Sequence, residues 1–359
     1  MSATPADDAE ILALARPDIV ALAPYEHAVF APTLERLHAN ELPWPPHSEP
    51  PDTALHRYPE PQPAALLAAL ASHYGVSTEQ LLVGRGSDEG IDLLTRAFCR
   101  AGEDAVIICP PTFGMYAVAA RIQGAAVVNV PLGKDYALDD AGVIAALDPR
   151  VKLVWLCSPN NPTGNSLDSA AIRRVLEAAR GRALVVVDEA YSEFSAQASW
   201  VGSLAEYPQL VILRTLSKAQ GLAGARIGAV IATPTVIRLL RKIIPPYAIA
   251  RPASTAAEHA LQDNSRPIAL ARIARICSER ERLRGALTRS PWVKRVYPSE
   301  ANFLLLETTN ARCVLDRLQA VALLARDFSG KPALGEAVRL TVGTPEQNNR
   351  VMTALECGT

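Results

Sequence analysis

Short apolar runs alternate with stretches of helical periodicity through the middle of the chain. The helical stretches cover 113–123, 139–147 and 168–180, and Gly124 and Gly181 follow two of them as C-terminal stops. The apolar runs have no polar face, and they cover 105–109, 125–130, 152–157, 183–188, 210–215 and 226–232. Strands that are apolar on both faces are typical of a mostly parallel sheet covered by helices. The pattern therefore predicts an α/β fold.

Two segments of different character flank this region. Residues 1–49 are rich in proline and predict an irregular arm that packs on something else, because it cannot form a core of its own. Beyond residue 264, a long charged helical stretch precedes several short strands, which predicts a smaller α+β domain. We therefore expect a large domain at 50–264, and a small domain formed by 265–359 together with the arm 1–49.

Composition and charge exclude several classes of protein. The chain has 359 residues, which is long for a single compact core. Its formal net charge is −1, so it lacks the basic character of a nucleic-acid-binding protein, and we expect no nucleic-acid partner. A small anionic substrate would be bound by a few well-placed arginines. The histidines and cysteines show no metal-ligand spacing, so no metal site is predicted.

The cysteines and the N-terminus bear on the cellular compartment. The cysteines are widely spaced, form no CxxC pair and lie mostly in apolar runs: Cys99, Cys109, Cys157, Cys277, Cys313 and Cys357. This usage predicts a reducing cytoplasm. The N-terminal residues are acidic, unlike a signal peptide, and no apolar run reaches the length of about 18 residues that predicts a membrane-spanning helix.

Lys218 follows the apolar run 210–215, within the segment TLSKAQGLAGARIG. A lysine in such a loop is ordinarily only solvated. Here, four other segments with polar or aromatic residues also lie at or just after strand ends. Because ligands of open α/β sheets bind outside the carboxyl ends of the strands, Lys218 is a candidate site residue.

The segment LVGRGSDEG indicates an anion site. Its glycines do not have the GxGxxG spacing, which argues against a nicotinamide dehydrogenase. The tight turn leads into a helix that begins near Ser87, and the free backbone N–H groups of a helix start suit a phosphate. Taken alone, however, Ser87 is more readily explained as a helix N-cap.

The remaining strand ends carry an amide, a carboxylate and two aromatic rings. Asn161, in SPNNPTGN, offers an amide that could bond a ring oxygen of a cofactor. Asp188 ends an apolar run, where an unpaired carboxylate is costly to bury, so it needs a cationic or strongly donating partner. Capping of a helix over 189–194 would also explain Asp188. Tyr191 lies three residues further on, and Phe113, as a single aromatic residue, is more often part of a core.

Together, SPNNPTG, DEAY and SK…GLAGARIG resemble, in order and spacing, the fold-type I pyridoxal-phosphate aminotransferases. This resemblance implies that Lys218 is the Schiff-base lysine for pyridoxal 5'-phosphate and that Asp188 pairs with the ring nitrogen. It implies that Asn161 and Tyr191 bond the phenolic oxygen of the ring, and that Phe113 stacks on the ring. The implied cup for the cofactor phosphate consists of Ser87, Asp88 through its backbone, Ser217 and Arg226.

Further segments between residues 22 and 356 resemble the histidinol-phosphate branch of that family, among them LAPYEHAV, RYPEPQ, GRGSDEG, LRTLSKAQGLAG and VRLTVGTPE. The resemblance implies amino transfer between L-histidinol phosphate and 2-oxoglutarate or glutamate, in histidine biosynthesis, by a homodimer. The implied substrate-binding residues are Asn161, Arg326, Arg339, Tyr25 and Tyr58, the last from the neighbouring subunit. Arginine suits both phosphate and the carboxylate of glutamate because each presents paired acceptor oxygens.

The sequence departs from the family pattern at three positions. Phe113 stands where the family usually has tyrosine, Gln220 where it has phenylalanine, and Leu42 where it has asparagine or an aromatic residue. None of these departures removes a chemical role.

Other functions remain open on the sequence. Within the same fold they are an aromatic or other amino-acid aminotransferase and a decarboxylase acting on threonine phosphate. A regulator that joins an aminotransferase-like domain to a DNA-binding module is disfavoured, because the residues before the large domain are rich in proline and unlike a helix-turn-helix.

Overall fold

The computed structural model describes residues 5–26, 34–46 and 54–358. These residues form a seven-stranded sheet and a separate four-stranded sheet, each with helices packed on it. In the large sheet the strands are β1 (Leu81–Gly84), β2 (Ala105–Ile108), β3 (Ala126–Asn129), β4 (Val151–Cys157), β5 (Leu184–Asp188), β6 (Leu210–Thr215) and β7 (Gly228–Ile231). In the small sheet they are β8 (Val293–Val296), β9 (Phe303–Thr308), β10 (Arg326–Asp327) and β11 (Ala337–Thr341).

The α-helices divide between the two sheets. Those before and within the large sheet are α1 (Pro5–Leu14), α2 (Pro17–Ala21), α3 (Ala64–Tyr74), α4 (Ser87–Phe98), α5 (Met115–Gln123), α6 (Asp140–Ala146), α7 (Ser169–Ala179), α8 (Pro234–Arg241) and α9 (Arg251–Ala260). Those associated with the small sheet are α10 (Arg266–Leu287), α11 (Ala311–Ala320) and α12 (Pro345–Ala354). No helix in these ranges has both the length and the apolar character that crossing a membrane requires.

The large sheet confirms the predicted α/β fold. Its strand order is β1-β7-β6-β5-β4-β2-β3, and the pairs from β6 to β3 are all parallel. Strand β7 is antiparallel to both of its neighbours, so it is the strand that departs from the parallel direction. Six of these strands were predicted from the sequence, and β1, which leads into the segment LVGRGSDEG, was not among them.

Helices cover both faces of the large sheet, as the apolar strands require. One face packs on α3, α6, α7 and α9, and the other on α1, α2, α4, α5 and α8. Strands β4 and β5 are buried almost throughout, which explains why neither alternates between apolar and polar residues.

The prediction that the N-terminal arm is irregular is wrong for residues 5–21, which form α1 and α2. Ile11, Leu14 and Ile19 are buried in the core on one face of the large sheet. Helical spacing of these three apolar residues therefore outweighs the prolines, one of which begins α2 at a position that tolerates proline. The proposed bounds at residues 49 and 264 stay a prediction.

The small sheet is antiparallel, in the order β10-β11-β9-β8. Residues of α10, α11 and α12 form its core together with β8, β9 and β11. Its two-residue edge strand β10 and the following loop lie against the carboxyl edge of the large sheet, where they take part in the cavity described next.

Candidate active site

A cavity of about 720 Å³ lies where the carboxyl ends of β2, β4, β5 and β6 face the β10–β11 hairpin. Parallel strands bring their carboxyl ends to one edge, which is why residues distant in sequence meet there. Eleven of the predicted site residues line it: Ser87, Asp88, Phe113, Asn161, Asp188, Tyr191, Ser217, Lys218, Arg226, Arg326 and Arg339.

Asp188, the last residue of β5, is almost completely buried. Its Oδ1 accepts a hydrogen bond from the backbone N–H of Ala190 at 3.1 Å, and its Oδ2 accepts one from the hydroxyl of Tyr116 at 2.7 Å. Burial raises the pKa of Asp188 to about 6, because removal from water disfavours the ionised form. The alternative helix over 189–194 is absent: the chain there forms only a short 3₁₀ turn, Ser192–Phe194.

Tyr116 is a site residue that the sequence analysis missed. It lies in α5, fully buried, and its ring stacks on Trp155 with 5.0 Å between centroids and 7° between planes. In sequence it reads as an ordinary core residue of an amphipathic helix. The one available signal is its position three residues after Phe113, which places both rings on the same face of the chain.

Asn161 and Tyr191 both line the cavity and lie next to each other. The Nδ2 of Asn161 donates to the hydroxyl of Tyr191 at 3.4 Å, and its Oδ1 accepts a hydrogen bond from Arg339. Both residues are buried. The side-chain amide thus connects a strand end of the large sheet to an arginine of the small sheet.

Lys218 follows β6 in the chain and lines the cavity. Its Nζ lies 5.7 Å from the centroid of the Tyr191 ring. Burial, reinforced by the positive charge of Arg339, lowers the pKa of Lys218 below its ordinary value. A lysine with a lowered pKa is suited to react as an amine and to accept a proton.

A cradle for an anion forms at the N-terminus of α4. The N-cap position is Gly86, with φ of 83°, so no side chain caps the first N–H groups of the helix. Ser87 is the first helical residue, and the interpretation of Ser87 as the N-cap is therefore wrong. Free N–H groups at a helix start carry partial positive charge and attract phosphate.

Arg226 and Ser217 approach the same helix end. The Nη2 of Arg226 donates to Oδ2 of Asp88 at 3.0 Å, and its Nη1 donates to Oγ of Ser217 at 3.4 Å. The close approach requires Gly228, because a Cβ there would lie 2.3 Å from the carbonyl carbon of Gly86. The predicted phosphate-cup residues are thus assembled at one place, with Asp88 facing Arg226 through its side chain.

Phe113 lines the cavity and lies edge-on to Tyr116, with ring centroids 5.6 Å apart and an interplanar angle of 84°. The buried tyrosine therefore helps to fix the orientation of the Phe113 ring at the cavity wall. This geometry is compatible with stacking on a planar ring.

The outer end of the cavity is cationic. Arg326 of β10 and Arg339 of β11 are directly opposite each other in the antiparallel pair. Lys331, in the loop between these strands, also lines the cavity and was not singled out in the sequence. No carboxylate of the described residues lies within 4.0 Å of any of these three cations. Like charges opposed across a strand pair repel, so the arrangement favours a bound anion.

The two predicted tyrosines of the N-terminal region lie outside this cavity. Tyr58 is 48% exposed and stacks on Tyr247, with ring centroids 4.7 Å apart. Tyr25 is 63% exposed. Within one chain, therefore, neither tyrosine contributes to the cavity wall.

The sequence matches the model of one protein family, aminotransferase class I and II, over residues 49–355. A histidinol-phosphate aminotransferase of Xanthomonas campestris pv. campestris is 47% identical over 354 residues, covering 97% of this chain and 98% of the relative. A protein of the same name from Xylella fastidiosa is 49% identical over 325 residues, covering 89% of this chain and 88% of the relative.

A solved structure has a similar fold. It is the histidinol-phosphate aminotransferase of Sinorhizobium meliloti in complex with pyridoxal-5'-phosphate, with a TM-score of 0.75 and 28% sequence identity. The similarity covers 84% of this chain and 82% of that chain.

Proposed function

The chain belongs to the class I and II aminotransferases, and we propose that it transfers an amino group between L-histidinol phosphate and 2-oxoglutarate. The cofactor of this reaction is pyridoxal 5'-phosphate. The observation that carries the choice of substrate is the opposed pair Arg326 and Arg339, which has no acidic partner among the described residues. Near-full-length identity of 47% to proteins of that name supports the same choice.

The residues present fit the cofactor. Asp188 is a buried carboxylate with a raised pKa and without a cationic partner within 4.0 Å among the described residues, so a protonated ring nitrogen would complete it. The start of α4, with Arg226 and Ser217, suits the phosphate group. Lys218 lines the same cavity as Asp188 and the start of α4, and it would bind the aldehyde carbon covalently.

Bound there, pyridoxal phosphate supplies an electron sink for the pair of electrons released when the substrate Cα–H bond breaks. Asp188 would hold the ring nitrogen in its protonated form and so maintain that sink. Lys218, as a free amine beside the bound group, would take up the proton released at the substrate Cα. Its lowered pKa leaves a larger share of the amine free to accept that proton.

Asn161 and Tyr191 would hold the phenolic oxygen. The Nδ2 atom of Asn161 and the hydroxyl oxygen of Tyr191 are 3.4 Å apart, and both side chains are buried. Both can therefore donate toward one acceptor without further ordering. Arg339 donates to Asn161 and reaches the outer cavity, which links the ring site to the substrate site. Arg339 would accept the carboxylate of glutamate in the second half-reaction, and Arg326 and Arg339 together the phosphate of the first.

We extend the proposal to a homodimer in which Tyr58 completes the site of the partner. Tyr58 lies outside its own cavity. Large exposed apolar residues are concentrated in the segment around it: Leu22, Tyr25, Leu34, Leu37, Leu42, Trp44 and Leu55. Such a concentration is typical of a surface covered by another protein. Tyr25 is assigned to the same phosphate site.

The cytoplasmic location is also a proposal. It rests on the cysteines, which are unpaired in the structure, and on the usage expected in a reducing compartment.

The substrate assignment is tested by following 2-oxoglutarate conversion to glutamate with L-histidinol phosphate as amino donor. L-phenylalanine and L-threonine phosphate serve as competing donors, and released CO2 is measured with the latter. We expect efficient glutamate formation from L-histidinol phosphate and at least about 100-fold lower kcat/KM with L-phenylalanine, which lacks the phosphate. Preference for L-phenylalanine, or CO2 release from L-threonine phosphate, would contradict the proposal.

The dimer is tested by mixing two inactive variants, Lys218→Ala and Tyr58→Ala, after unfolding and joint refolding. If Tyr58 acts across the interface, mixed dimers contain one intact site, and activity recovers to about a quarter of the wild-type value at equal mixing. Recovery only to the sum of the two separate variants would mean that Tyr58 acts within its own subunit or outside the site.

A further inference from the structure

The ring of Tyr116 is fixed on two sides and its hydroxyl points at a single carboxylate. It stacks on Trp155 of β4 and meets Phe113 edge-on. Its hydroxyl donates to Oδ2 of Asp188 at 2.7 Å. The side chain has no exposed surface, so water does not compete for this hydrogen bond.

Among the residues that the structure describes, Tyr116 provides the one side-chain hydrogen bond to Asp188. The other donor to this carboxylate is the backbone N–H of Ala190, which bonds Oδ1. Removing the hydroxyl of Tyr116 would leave Oδ2 buried without a donor inside the protein. A buried carboxylate oxygen in that condition is costly, and the cost falls on the ionised form.

Other ionisable groups near Asp188 come from the elements packed around β5. Two carboxylates, on α4 and at the next position of the chain, disfavour its ionised form, whereas a lysine beyond β6 favours it. A thiol at the end of β4 and a second phenol are neutral at physiological pH because burial raises the pKa of each. These groups are Asp88, Glu189, Lys218, Cys157 and Tyr191.

We propose that Tyr116 is a positioning residue that orients the Asp188 carboxylate and keeps it ionised for the ring nitrogen of the cofactor. The proposal rests on the function proposed above for Asp188. A phenylalanine would fill the same space against Trp155 and Phe113, so the hydroxyl is the part of Tyr116 that this role requires.

The test measures the affinity of the apoprotein for pyridoxal phosphate as a function of pH, in wild type and Tyr116→Phe. At pH 5.5 we expect the variant to bind about 10-fold more weakly. At this pH Asp188 is largely protonated in the apoprotein and becomes ionised when the cofactor binds. Wild type then gains a hydrogen bond from Tyr116 to a charged carboxylate, and the variant does not. Above pH 8 the two affinities converge, because Asp188 is then ionised before binding in both proteins. Titration of the cofactor itself is common to both proteins and cancels in the ratio.

Two comparisons separate positioning from packing. Tyr207→Phe is the matched control, since Tyr207 is also buried, accepts a hydrogen bond from Arg173 at 3.2 Å and lies outside the cavity. It should leave the affinity within about twofold of wild type. In an Asp188→Ala background, Tyr116→Phe should also have no effect on affinity, because the acceptor is gone.

Equal affinities of wild type and Tyr116→Phe across the whole pH range would overturn the proposal. A loss that is the same at pH 5.5 and pH 8.5, or that persists in the Asp188→Ala background, would also overturn it and indicate a packing role. If Tyr116→Phe fails to fold alone, the pair of proteins in the Asp188→Ala background still decides between these roles. A wild-type apoprotein that does not bind pyridoxal phosphate would instead contradict the function proposed for the site.

Discussion

The inner wall and the outer rim of the cavity hold their polar groups in different ways. On the inner wall Asp188 and Asn161 are buried and held by hydrogen bonds at the edge of the large sheet. Tyr116 donates to Asp188 from behind the wall, and Asn161 donates to Tyr191. On the outer rim Arg326 and Lys331 are exposed, on a hairpin of the small sheet, and without a carboxylate partner among the described residues.

The difference indicates which part of the proposed reaction each region serves. Buried, prearranged groups act strongly on charge that develops during a reaction, because they need no reordering and water does not screen them. Exposed cations act on a substrate group that arrives already charged, and each contributes less because water competes. We therefore expect the inner wall to serve the chemical step and the rim mainly to determine substrate choice.

The largest effect is expected for Asp188→Asn on the inner wall. An amide cannot keep the ring nitrogen protonated, so kcat/KM should fall by roughly 10³-fold or more, about 4 kcal/mol. Asp104→Asn is the control, since Asp104 is equally buried but paired with Arg100 outside the cavity. Steady-state kinetics that show a similar loss in both variants would remove the distinction between the two carboxylates.

The same substitution has a pH-dependent effect on the stability of the apoprotein. The folded pKa of Asp188 is about 6, above its ordinary 3.8, so its contribution to stability is present below pH 3.8 and lost as pH rises through 6. Asparagine does not ionise, so the variant does not lose stability in this way. The unfolding free energy of Asp188→Asn minus that of wild type should therefore be up to about 3 kcal/mol larger at pH 8 than at pH 4. Urea unfolding at both pH values measures it, and a pH-independent difference would contradict the assigned pKa.

A smaller effect, about 2 kcal/mol, is expected from Gly228→Ala. The new Cβ would lie 2.4 Å from the backbone nitrogen of Ser87, so the start of α4 must move away from Arg226. Both the unfolding free energy and the affinity for pyridoxal phosphate should fall. Gly202→Ala is the matched control, because no atom lies within 4 Å of its added Cβ. If Gly228→Ala binds the cofactor as well as Gly202→Ala does, the close approach of Gly228 does not determine the shape of the cradle at the start of α4.

The smallest effect is expected on the rim. Arg326→Gln should raise the KM for L-histidinol phosphate about 10-fold and leave kcat within about threefold, because it weakens binding of a group remote from the chemistry. Its KM for glutamate should change little. Arg312→Gln, an exposed arginine on α11 with the same change of charge, is the control. If kcat of Arg326→Gln falls as much as kcat of Asp188→Asn does, the proposal that wall and rim have different roles is contradicted.

The inner wall could be predicted largely from the sequence because its residues follow apolar strands. Lys218, Asp188 and Asn161 stand at strand ends, and a buried parallel sheet brings such ends together. Tyr116 was not predicted as a site residue, because its hydrogen bond is to Asp188, 72 positions away in the chain, and local periodicity does not reveal such a contact. The helices at 5–14 and 17–21 were not predicted, because the prolines of this segment are typical of irregular chain and obscure the helical spacing of Ile11 and Leu14.

The rim could not be predicted from pattern alone. Arg326 and Arg339 read as surface arginines, and their opposition depends on the register of a short hairpin, which the sequence does not specify. The sequence also does not predict the left-handed backbone conformation of Arg226, whose φ is 54°. Residues other than glycine adopt this conformation rarely. These residues were named through family resemblance, and their roles in substrate binding stay proposals.

The most direct measurement is the visible absorption spectrum of the purified protein with pyridoxal phosphate, during addition of L-histidinol phosphate and then 2-oxoglutarate. We predict a band near 420 nm, or near 360 nm at high pH, that L-histidinol phosphate bleaches and 2-oxoglutarate restores, and that Lys218→Ala lacks. A wild-type band that responds to glutamate but not to L-histidinol phosphate would contradict the substrate. Absence of any band that depends on Lys218 would contradict the assignment of the site itself.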